Sequence, residues 1–114
     1  MAQPARLVCS SAELAEGGLG VRFEAELKGR VRGAFVVRYD GVARAYLNQC
    51  AHVPVELDWQ PGVFFDRDGL YFVCATHGAM YDPATGACAG GPCRGGGLIP
   101  VAVREQDGQI FLDE

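Results

Sequence analysis

Two short motifs carry the side chains best suited to chemistry: Cys50-Ala51-His52 and Cys74-Ala75-Thr76-His77. Each offers one soft thiolate and one imidazole. Four such donors close a tetrahedral set around a single metal ion, or divide between two metal atoms. The chain has two histidines and both fall in these motifs, which random scatter would rarely achieve. Its five cysteines are an odd number, so a closed disulfide framework cannot use them all. In a reducing compartment, metal binding is the more natural use of spaced cysteines. Of the other three, Cys9 reads as a buried strand residue. Cys88 and Cys93 bracket a Gly-Gly-Pro stretch and read as two thiols, a small disulfide being the competing reading.

The elements that must position these motifs read as strands. Val21 to Lys28 alternates apolar and polar residues without a break, the period of a half-buried strand. Ala34 to Arg38 and Val42 to Leu47 flank Tyr39-Asp40-Gly41, and Asp-Gly between apolar runs predicts a hairpin, since Gly takes the positive φ of the turn. The same device recurs at Asp68-Gly69, between Val63-Phe64-Phe65 and Leu70 to Val73. It appears again at Asp107-Gly108, between Val101-Ala102-Val103 and Ile110-Phe111-Leu112. Three such hairpins predict an all-β, antiparallel fold. Only Ser11 to Glu16 reads as helical, a turn or two before Gly17-Gly18 stops it. Ala84 to Gly97 is so rich in Gly and Pro that it reads as a surface or covering loop, not a strand. Cys50-Ala51-His52 thus follows the strand ending at Leu47, and Cys74 to His77 follows the one ending at Val73.

With 114 residues the chain is one domain long, enough to bury roughly two-thirds of its unfolded surface without disulfide staples. Hydrophobic residues make up 49%, with 16 Gly and 6 Pro, the balance of a globular, turn-rich protein. A net charge of −4 argues against nucleic acid, which demands clustered Lys and Arg. It would suit docking on a basic protein surface. Met1 to Arg6 lacks a positive region followed by an apolar run, and the apolar stretches are strand-sized, so neither export nor a membrane is expected and the default address is the cytoplasm. No nucleophile–base pair or phosphate loop stands out, so no catalytic residue is assigned. The oligomeric state is left open.

The order Cys50-x-His52, Cys74-x-x-His77-Gly78, Tyr81-Asp82, Thr85-Gly86 and Gly91-Pro92 resembles the Rieske ferredoxin family. The likeness runs from about Asn48 to the final hairpin. It implies an antiparallel β-sandwich bearing a cluster-binding lobe at about 48–82, with a covering loop at about 84–97, all within one domain spanning 1–114. It further implies one 2Fe–2S cluster, with Cys50 and Cys74 on one iron and His52 and His77 on the other. Gly78, Ala79, Tyr81 and Pro92 would line it. Thiolates favour ferric iron, so the imidazole-ligated iron accepts the electron, and the potential lies above that of an all-Cys cluster. Val53-Pro54 and Pro92 would frame the exit path beside the histidines. The implied function is soluble electron transfer, from a reductase to a terminal oxygenase or other redox enzyme. The small subunit of a nitrite reductase-like complex is the nearest alternative. A zinc-stabilised interaction module, built on the same four donors, is the non-redox one.

Departures from the family are informative. High-potential respiratory relatives join the two ligand loops by a disulfide, but Val55 and Thr76 occupy those places here. The family's serine after His-Gly is Ala79, which removes a hydrogen bond to sulfur and lowers the expected potential. Tyr81 divides evenly between donating its hydroxyl to a ligand sulfur and plain packing. Trp59 reads as packing its own loop, and Glu13, Glu16, Glu24 and Glu26 as solvated charge. The span from His52 to Cys74 looks longer than usual, as a partner-specific insertion would be.

Overall fold

The computed structural model describes residues 6–27, 29–49, 56–58, 60, 62–66, 69–74, 78–91 and 96–112. Among them, the strands are β1 (Arg6–Ser10), β2 (Val21–Leu27), β3 (Arg30–Tyr39), β4 (Val42–Leu47), β5 (Phe72–Val73), β6 (Met80–Tyr81), β7 (Cys88–Gly90), β8 (Pro100–Val101), β9 (Val103–Gln106) and β10 (Gln109–Leu112). They build three antiparallel sheets, ordered β1-β10-β9, β2-β3-β4-β8 and β5-β6-β7. The all-β antiparallel expectation therefore holds.

The β2-β3-β4-β8 sheet is the middle layer. Ala34, Phe35, Val36 and Val37 of β3 are all buried, and their alternation sends them to opposite faces. Ala34 and Val36 join Cys9, Leu14, Ala25, Ala45, Leu47, Ile110 and Leu112 in the cores shared with the β1-β10-β9 sheet. Phe35 and Val37 join Tyr46, Leu57, Phe64, Phe72, Cys74, Ala79, Tyr81 and Leu98 on the other side. Phe35 stacks on Phe64 with ring centroids 3.8 Å apart and meets the edge of Phe72 at 5.3 Å. One strand thus holds a sandwich on one face and a small lobe on the other. Near Ala102 the chain passes between layers, as β8 pairs with β4 and β9 with β10.

Two of the Asp-Gly turns form as the sequence predicts. Asp40 and Gly41 take φ of 54° and 74° between β3 and β4, and Asp107 and Gly108 take 53° and 75° between β9 and β10. These paired positive angles match the right-handed twist of the flanking strands. The third hairpin differs. Val63 to Phe65 forms no strand, but Phe65 bridges Phe72 antiparallel, the Val73 N–H donates to the Phe64 carbonyl at 2.9 Å and the Asp66 N–H to the Tyr71 carbonyl at 2.8 Å. Asp66 organises that turn, its carboxylate accepting the N–H groups of Leu70 at 2.9 Å and Tyr71 at 3.4 Å. Asp68 lies outside the described residues.

The helical reading of Ser11 to Glu16 shrinks to one 3-10 turn, Ser11–Glu13, held by a capping box between Ser10 and Glu13. Glu13 is therefore a capping residue. Glu16 likewise accepts the N–H groups of Asp40 and Gly41 at 2.6 and 2.7 Å. Both carboxylates are exposed, but each satisfies backbone donors, so the reading of them as mere solvated charge is corrected.

Arg38 grips Glu105 with two bonds, at 3.0 and 2.8 Å, and donates to the Leu14 carbonyl at 2.9 Å. This ties the middle sheet to β9. The hydrogen bonds from Arg38 hold the Glu105 carboxyl down to about 2, against an ordinary value of 4.5. A depressed folded-state pKa stabilises above the unfolded value, and the contribution fades as pH falls from about 4.5 to about 2. Glu105→Gln is expected to cost about 1 kcal/mol at neutral pH, after solvent screening of a partly exposed pair. In urea unfolding the gap between variant and parent should close through that acid window. Phe35→Ala, which empties the junction of two layers, is expected to cost about 3–5 kcal/mol in the same assay.

Candidate metal centre

Cys74, which opens the second motif, sits where the β5–β6 hairpin turns. Val73, at the end of β5, pairs with Met80 of β6, and the next rung closes the loop. There the Cys74 N–H donates to the Ala79 carbonyl at 2.8 Å and the Gly78 N–H to the Cys74 carbonyl at 2.9 Å. The Cys74 side chain is fully buried and packs in the apolar core with Phe72, Ala79 and Tyr81. Ala79 is also fully buried, and its methyl offers no hydrogen bond.

The expected covering loop, 84–97, is not a loop throughout. Cys88–Gly90 forms β7 and pairs with β6, Met80 opposite Gly90 and Tyr81 opposite Cys88. A Gly-rich run gives no strand signal of its own, so pairing with β6 decides its conformation. Immediately after β7, Gly91 rests on the tip of the Cys74 hairpin at φ 81°. A Cβ there would lie 2.9 Å from the Gly78 carbonyl oxygen and 3.0 Å from the Ala79 α-carbon. The covering segment and the Cys74 loop are therefore in backbone contact, a fit that only glycine permits. Cys88 is disulfide-bonded, which corrects its reading as a thiol; its partner lies outside the described residues, as does Cys93.

Beneath lies a turn built from the Tyr81-Asp82 and Thr85-Gly86 pairs. The Asp82 carboxylate accepts the Ala84 N–H at 2.8 Å, and the Asp82 carbonyl accepts the Gly86 N–H at 2.6 Å. The Tyr46 hydroxyl, buried, donates to the Pro83 carbonyl at 2.8 Å. Burial pushes that hydroxyl's pKa up, so it stays a neutral donor. Tyr81 is fully buried in the same core.

The first motif follows β4. Cys50, His52, Val53 and Pro54 lie outside the described residues, as do His77, Pro92 and Trp59. Both flanks are fixed by a buried polar network that the sequence reading overlooked. The Asn48 carboxamide donates to Asp58 at 2.9 Å and accepts the Leu57 N–H at 2.9 Å. The second Asp58 oxygen accepts the Gly62 N–H at 2.9 Å and faces Arg22 at 3.7 Å. The available signal was an Asp set between two large apolar residues, Leu57 and Trp59.

Among the described residues no three His, Cys, Asp or Glu side chains converge as a metal site, because three of the four expected donors lie outside them. The one that is described, Cys74, has the donor chemistry that such a centre takes. A buried sulfur donor stands at a hairpin tip, capped by a glycine whose missing Cβ leaves the covering backbone in contact. By contrast Cys9, buried in the sandwich, has its thiol pushed up to about 11, chiefly by desolvation, and is inert.

Among solved structures the fold is similar to a ferredoxin of Sphingomonas yanoikuyae B1 (24% identity, TM-score 0.75, covering 97% of this chain and 99% of that one). It is similar also to the ferredoxin of carbazole 1,9a-dioxygenase from Nocardioides aromaticivorans IC177 (23% identity, TM-score 0.72, 96% and 97%). The quaternary ammonium Rieske monooxygenase CntA shares the fold at 21% identity and a TM-score of 0.70, with 98% of this chain matching 33% of that one. No curated protein matches. The model of the Rieske [2Fe-2S] domain family matches residues 5–110. By that match over nearly its whole length, the chain belongs to the Rieske [2Fe-2S] domain family.

Proposed function

We propose that this chain is a Rieske-type electron carrier, passing single electrons from a reductase to an oxygenase or other redox enzyme. The observation that carries this reading is the family match, joined to end-to-end similarity with free-standing ferredoxins. A further neighbour is a complex of oxygenase and ferredoxin in carbazole 1,9a-dioxygenase, which supports a terminal oxygenase as the acceptor class.

In this reading Cys50 and Cys74 hold one iron, and His52 and His77 the other. When bound, the cluster supplies one-electron chemistry centred on the imidazole-ligated iron. The chain does the rest. The β5–β6 hairpin fixes Cys74 in a dry, apolar wall, which keeps water from the thiolate side. Gly91 lets the covering segment settle onto that hairpin. Ala79 withholds a hydroxyl, so negative charge on the sulfurs is less well stabilised and reduction is harder. Among the described residues no helix is long and apolar enough to cross a membrane.

The purified protein should be red-brown, bleach with dithionite, and show a reduced-state paramagnetic signal of lower average g than all-Cys ferredoxins. Its midpoint should fall on the order of −150 mV, the low end of the Rieske range. A colourless protein carrying zinc would overturn this function. His77→Cys should lower the midpoint or abolish the cluster; an unaltered spectrum and midpoint would remove His77 from the ligand set. Ala79→Ser should raise the midpoint by restoring a donor toward sulfur, and a value equal to the parent's would place residue 79 out of reach.

A further inference from the structure

The eleven residues from Asn48 to Asp58 start at the end of β4, and both ends of this segment are held to the body of the protein. It carries Cys50 and His52. Its departure is pinned by the Asn48 N–H, which donates to the Gly33 carbonyl of β3 at 2.9 Å. Its return is pinned by Leu57, fully buried in the core that also holds Cys74 and Tyr81. Between these points Asn48 does two jobs with one carboxamide. The Leu57 N–H must meet an oxygen, so the amide nitrogen is the group turned to Asp58. The Asp58 side chain is 0% exposed, and a buried carboxylate is costly unless it is bonded and balanced. Asn48, the Gly62 N–H and Arg22 together meet that need. Arg22 is also held by Glu56, on the same returning segment.

We propose that the Asn48–Asp58 pair, with Arg22 as counter-charge, is a clasp that fixes the two ends of the segment carrying Cys50 and His52 and so governs cluster retention and reduction potential. Asn48 and Asp58 are positioning residues, acting through the loop they close. The inference rests on the cluster reading above for the role of Cys50 and His52. The clasp geometry itself is independent of it.

The test compares the parent holoprotein with Asn48→Leu, close in size but without the amide, and with Asp58→Asn, which keeps the shape and removes the charge. Each is read by the rate of bleaching under an iron chelator, by the midpoint potential, and by amide hydrogen exchange at Leu57 and Gly62. Val36→Ala, in the sandwich core on the far face, serves as a control that lowers stability without touching the clasp. Both clasp variants should lose the cluster about tenfold faster, the scale of one lost buried hydrogen bond to a charge. They should also shift the midpoint and speed exchange at both amides, whereas Val36→Ala should keep the parent's midpoint. If Asn48→Leu fails to fold, Asp58→Asn alone decides. A folded clasp variant with the parent's midpoint and bleaching rate would overturn the proposal. A parent that carries zinc overturns the cluster reading instead, and the clasp then stands or falls on release of that zinc to the chelator, by the same tenfold criterion.

Discussion

The structure depends on one strand being buried on both faces. Ala34, Phe35, Val36 and Val37 of β3 alternate between the sandwich core and the lobe core, so neither layer has a hydrophobic partner without it. A strand covered on both sides cannot alternate apolar with polar, and its continuous apolar run is the direct consequence. The aromatic stack of Phe35 on Phe64, with Phe72 edge-on, binds the lobe to this strand and supplies contact energy beyond area burial alone. Through Phe72 that stack is one residue from Val73 and two from Cys74. The hairpin that presents the buried sulfur is therefore anchored to the middle of the molecule.

The lobe itself has little regular structure with which to hold its backbone. Its strands β5 and β6 are two residues long and β7 is three, too short to be stable alone. Side-chain acceptors supply what the ladders do not. Asp66 satisfies two amides of its turn, Asp82 caps the next one, and Asn48 and Asp58 join the two ends of the segment that carries Cys50 and His52. Acidic and amide side chains in this fold thus act as local backbone partners. This is why Glu13 and Glu16, exposed as they are, also prove to be structural. Close backbone contact does the remaining work, with Gly91 seated on the Cys74 hairpin.

Much of this was legible in the residues. Asp40-Gly41 and Asp107-Gly108 declared their turns because few residues tolerate paired positive φ. The strict alternation of Val21 to Leu27 declared β2 because one face of that strand is wet. The candidate ligands stood out because thiolates and imidazoles are few, and because both histidines fell at short spacing from cysteines. Of those four, Cys74 is the one whose surroundings the described residues show. It is buried among apolar side chains where the β5–β6 hairpin turns.

Other features had no local signature. Cys88–Gly90 became a strand through pairing with β6, a partner separated from it by a turn, and nothing in a Gly-rich run announces such pairing. The disulfide at Cys88 depends on a distance in space, which spacing in sequence does not fix. The Asp66 carboxylate reaches two amides ahead of it, a contact that an Asp-Gly pair two residues later does not announce. The clasp at Asn48 and Asp58 joins residues ten apart with Arg22 from a different strand. Sequence by itself determined the chemistry on offer and the turns dictated by backbone dihedrals, because both are properties of single residues or adjacent pairs. Tertiary structure alone decided which faces are buried and which polar groups meet, because those depend on segments brought together only when the chain has folded.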